Sequence, residues 1–127
     1  MKKLLVICLA LVTLSTTAQT HSFRVTKTYL AYYNKMTSSY DYDNTTYPEN
    51  MYIVLKNNTV YVTDKAHSAY TLGEKIETEN KDCVTYSATD EKDRFCGMSA
   101  CNSDGQKSFV AMYPDQYYII YYVKDND

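Results

Sequence analysis

The sequence predicts an all-β fold: an antiparallel meander of about eight short strands, closed as a small barrel or folded as a two-sheet sandwich. Two observations lead there. Apolar, β-branched and aromatic residues alternate with polar ones through most of the chain, which is the period of a half-buried strand, and no long window keeps apolar positions at helical spacing. The intervals between these runs are mostly short and carry Asn, Asp, Gly or Pro, the residues of tight turns. Short sequential connections favour strands that neighbour one another in an antiparallel sheet.

Before the first strand, Met1-Lys2-Lys3 is a short basic segment, Leu4 to Leu14 is apolar apart from Thr13, and Ser15-Thr16-Thr17-Ala18 supplies small residues. That three-part pattern predicts a cleavable signal helix over 1–18, removed after Ala18, and a single β domain over 19–127. The apolar run is too short to cross a hydrocarbon core of about 30 Å at about 1.5 Å per residue. Cys8 follows Ile7 inside this run, so it reads as part of the signal and not as a lipid acceptor.

Phe23 to Tyr33 is the first predicted strand, and the polar stretch Asn34 to Asn50 is the longest predicted loop. Met51 to Lys56 and Thr59 to Thr63 flank Asn57-Asn58, a pair suited to the positive φ of a two-residue hairpin turn. Ala69 to Leu72 ends at Gly73, and the charged stretch Glu74 to Asp82 leads to Cys83 to Ala88. Arg94 to Cys101 follows the acidic turn Asp90-Glu91-Lys92-Asp93. Asn102-Ser103-Asp104-Gly105 has the composition of a type I turn closed by a Gly in a left-handed conformation, after which Lys107 to Tyr113 turns at Pro114-Asp115 into the last strand, Gln116 to Lys124.

From Gln19 onward only 21 of 109 residues are Val, Ile, Leu, Met or Phe, so the 15 tyrosines must supply part of the core. A Tyr ring buries a large apolar area while its hydroxyl reaches water or a partner. Along Tyr117 to Val123 the odd positions point one way and the even positions the other, which covers both faces of a central strand.

Three cysteines remain after signal removal, Cys83, Cys96 and Cys101. A turn through Glu91, Lys92 and Asp93 sets Cys83 opposite Cys101 and sends Cys96 to the other face. The alternatives are a Cys83–Cys101 disulfide or, with the register slipped by one, three reduced core thiols. The cysteine spacing does not suit zinc, and no metal or other cofactor is expected. Asp41, Asp43 and Asn44, or Asp90 with Asp93, lack the spacing of a calcium loop and read as solvated turns. Asn44-Thr45-Thr46 and Asn57-Asn58-Thr59 match the glycosylation acceptor pattern, which matters only in a host that uses it.

Without the signal the chain has 11 basic and 15 acidic side chains, a formal charge of −4, and no basic cluster. This argues against nucleic-acid binding. His67 lies between Asp64 and Ser68, but neighbouring strand residues point to opposite faces, so no catalytic trio is expected there. No catalytic residue is assigned and the chain is read as a non-enzyme.

Lys2-Lys3, the early strand Phe23 to Tyr33, the acidic turn Asp90 to Asp93 before Phe95-Cys96, and the Tyr-rich last strand Tyr117 to Val123 resemble a loose class of short, signal-bearing exported bacterial β proteins of unknown function. Members more often carry Gly in the acidic turn and Trp in the long loop. The resemblance implies a secreted or periplasmic home in a Gram-negative bacterium and lends no activity.

The expected function is that of an exported binding or interaction module. Tyr40, Tyr42 and Tyr47 are its candidate contact residues, since exposed Tyr favours interfaces. The partner is an unidentified protein or carbohydrate, with no membrane span once the signal is gone. The alternatives are a small barrel carrying an apolar ligand, a purely structural exported domain, or Tyr rings that only replace missing Leu and Ile in the core.

Overall fold

The computed structural model describes residues 20–64 and 67–125, and the expected signal peptide, 1–18, lies outside them. Among the described residues the chain forms nine strands: β1 (His21–Asn34), β2 (Ser39–Thr46), β3 (Tyr52–Lys56), β4 (Thr59–Val62), β5 (Ala69–Ile76), β6 (Cys83–Asp90), β7 (Phe95–Ser103), β8 (Gln106–Tyr113) and β9 (Tyr117–Asp125). All pairings are antiparallel. β3 to β9 follow one another as a meander, and β1 pairs with both β3 and β9, so eight strands close into a barrel. Closure removes the free edges that a two-sheet sandwich would leave.

β1 is long enough to serve two partners along one edge. Its residues 21–24 pair with β3 and its residues 28–34 with β2, while the opposite edge pairs with β9 over 23–32. β2 is therefore a ninth strand outside the barrel, and the expectation of one long loop over 34–50 is corrected. That segment is a hairpin arm turning at Lys35 to Ser38, where Ser38 takes a positive φ of 54°. Its polar residues suit a strand with little burial on either face.

Turn chemistry fixes most of the remaining joints. Asn57 and Asn58 have φ of 51° and 62°, the mirror-image turn whose twist matches a hairpin. Asp104 and Gly105, at 51° and 87°, make a turn of the same family in place of the expected type I. β5 runs beyond Leu72 through Gly73 to Ile76, with a shift of register between Leu72 and Lys75. Gly73 is needed there because a Cβ would fall 2.6 Å from Ser87 Oγ. That same oxygen accepts the Glu74 N–H at 3.0 Å.

The barrel interior is filled by side chains, with Phe109, Ile53, Leu55, Met98, Val25 and Val60 nearly or wholly without exposure. Phe23 meets Phe109 edge-on at 5.4 Å between centroids. Tyr70, Tyr113 and Tyr121 join this core, with Tyr117 and Ile119 packed against it. The odd positions of β9 thus point inward, and tyrosine supplies the bulk that aliphatic residues lack.

Candidate functional site

Tyr32, Met36, Tyr42 and Tyr47 are exposed on or beside the β1–β2 hairpin, while Tyr61, Ile76, Phe95 and Met112 are exposed singly on other strands. On the hairpin's outer face Tyr29 packs against Tyr42 at 5.3 Å and Tyr118 at 6.2 Å, while Tyr40 packs against Tyr33 at 5.2 Å and Tyr118 at 5.1 Å. Ala31, at the centre of this face between Tyr42 and Tyr118 in the register, is fully buried. A small residue there lets the rings close over the backbone. Burial and the neighbouring rings push the Tyr118 hydroxyl's pKa upward.

The other face of the hairpin continues the barrel's interior surface beyond its rim. Tyr32 meets Tyr117 at 5.8 Å, and Tyr117 stacks on Tyr113 at 4.7 Å. Outside this aromatic row lies a shallow depression of about 380 Å³ lined by residues that include Tyr32, Asn34, Lys35, Asp41, Tyr42 and Asp43. Asn34 Nδ2 donates to Asp41 Oδ2 at 2.8 Å, which ties the two strands together beside the Lys35–Ser38 turn.

The three sequence-predicted contact residues have different roles. Tyr40 is half-buried, and its hydroxyl accepts the Asp115 N–H at 3.1 Å, so it fastens β2 to the β8–β9 turn. Tyr42 and Tyr47 are 59% and 74% exposed. Tyr32, which belongs to the same tyrosine cluster in the sequence, is 49% exposed, and Met36 at the hairpin tip, which sequence reasoning passed over, is 96% exposed. Met36 was legible as an apolar residue amid a polar turn.

Elsewhere, Asp90 and Asp64 are engaged by the turns they sit in. Asp90 Oδ2 accepts Tyr113 Oη at 2.6 Å and Arg94 Nε at 2.8 Å, and its Oδ1 accepts the Lys92 and Arg94 N–H groups. Burial works against the charge, but these hydrogen bonds outweigh it and hold the carboxyl at about 2. The Tyr113 hydroxyl is driven well above its ordinary value by burial and by this acceptor. Tyr70, buried beside Tyr121, is pushed up to about 12. In the turn before β5, Ser68 donates its N–H and its hydroxyl to the Asp64 carboxylate at 3.0 and 3.1 Å, while His67 is exposed at a φ of 51°.

Cys83 and Cys101 are joined by a disulfide on the barrel's outer face. Cys96 lies inside with Met98 and Ala100, a free thiol that burial raises to about 11. No protein-family model, curated protein or solved structure matches the chain.

Proposed function

We propose that this is an exported, non-enzymatic binding module whose contact surface is the β1–β2 hairpin. The observation that carries the reading is the placement of Tyr32, Met36, Tyr42 and Tyr47, all well exposed, on or beside β2, which among the described residues is the strand that the closed barrel does not need. Tyr supplies contact area at low cost in conformational entropy, and its hydroxyl adds adaptable hydrogen bonding. The filled interior supports an external site over an internal ligand. The three-part pattern of residues 1–18, with its apolar run Leu4 to Leu14, and the disulfide fit export into an oxidising compartment.

A photo-crosslinking residue placed at Tyr42 or Tyr47 in the native host tests this. Discrete crosslinked species are expected from both positions. They should be missing from a control at Phe95, which is 84% exposed on β7. Equal crosslinking from position 95, or none from 42 and 47, overturns the assignment.

A further inference from the structure

We infer that the outward edge of β2 is a strand-pairing site for an extended peptide segment in which basic residues alternate with apolar ones. This rests on the hairpin being the contact surface and names the chemistry of its partner. Each barrel strand has a neighbour on both sides, whereas among the described residues β2 pairs with β1 alone. Its other edge presents backbone N–H and C=O groups to any strand laid beside it, the geometry by which peptides add to sheets.

The side chains select the occupant. Tyr40 and Tyr42 lie on the outer face, with Asp41 and Asp43 bordering the depression beside Tyr32, two acids against one basic lining residue, Lys35 of the hairpin turn, and Asp41 also accepts from Asn34 Nδ2. β2 carries no Lys or Arg, and among the described residues no ion pair engages Asp41 or Asp43. Pairing two copies of β2 would bring these carboxylates together, and like charges across a strand pair are destabilising. A basic partner residue gains an opposite-charge pair at the same place, and the apolar residues between lie against Tyr40 and Tyr42. The bulge at Asp43, skipped where Leu30 and Ala31 meet Asn44 and Tyr42, confines docking to a short segment.

The test uses the full chain and three blocked octapeptides: alternating Lys and Val, the same composition with the lysines clustered, and alternating Glu and Val. The alternating Lys peptide should bind at least tenfold more tightly than the other two and slow amide exchange in β2 but not in β7. The Asp41→Lys/Asp43→Lys variant leaves the barrel core untouched and should reverse the preference toward the Glu peptide. Equal binding of the clustered peptide, an unreversed preference in that variant, or a concentration-dependent dimer in place of peptide binding overturns the inference. Failure of all three peptides with crosslinking from Tyr42 intact overturns the edge pairing alone. Loss of both takes the contact surface with it.

Discussion

At Asp90 a carboxylate with no exposed side-chain surface receives four hydrogen bonds, two from the turn's own backbone and two from Arg94 and Tyr113. One residue thereby closes the β6–β7 turn and ties it to β8. Asp93, at a φ of 62°, fills the left-handed position where related turns favour Gly, as Asp tolerates better than most residues. Because the folded carboxyl titrates at about 2, below its ordinary value of 3.8, its contribution is present above pH 4 and is lost as the pH falls toward 2. Asp90→Asn should lower unfolding free energy by about 2 kcal/mol at pH 7 and flatten the acid limb between pH 4 and 2. Urea unfolding across that range reads both, and an unchanged acid limb would remove Asp90 from the account.

Between β6 and β7 the register follows from a turn of three residues: Cys83 faces Cys101, Val84 faces Ala100, and Ala88 faces Cys96. This much was legible because residue parity about a recognisable acidic turn determines which side chains share a face. The disulfide closes a loop of about 19 residues, so its loss should cost about 3 kcal/mol on the chain-entropy estimate. Unfolding of Cys83→Ser/Cys101→Ser measures it. An alkylating agent should leave Cys96 unmodified in the folded protein, since the thiol is buried and held near 11. Labelling of native Cys96, or a peptide map linking it to either partner, would contradict the face assignment.

β2 escaped sequence reading for a physical reason. Its stabilisation comes from one neighbouring strand and from Tyr40 reaching across to Tyr33, Tyr118 and Asp115, contacts made by residues distant in sequence. Locally it offers Ser, Asp, Asn and Thr, which speak for a loop. The surviving signal was the alternation of Tyr40 and Tyr42 with Asp41 and Asp43. The choice between barrel and sandwich was also out of reach, since it depends on the long-range pairing of β1 with β9.

Across the whole molecule two groups of tyrosines stand apart from the mostly half-buried rest. Tyr70, Tyr113 and Tyr121 fill a closed barrel, while Tyr32, Tyr42 and Tyr47 stand on or beside a hairpin arm that closure does not require. The separation of these roles is the central claim. Its most direct measurement is the urea-unfolding free energy of the Tyr32→Ala/Tyr42→Ala/Tyr47→Ala variant. The account predicts a loss within about 1.5 kcal/mol, as for partly exposed contacts. A loss of about 3–5 kcal/mol, the cost of emptying a buried aromatic site such as Phe109, would place these rings in the core and contradict it.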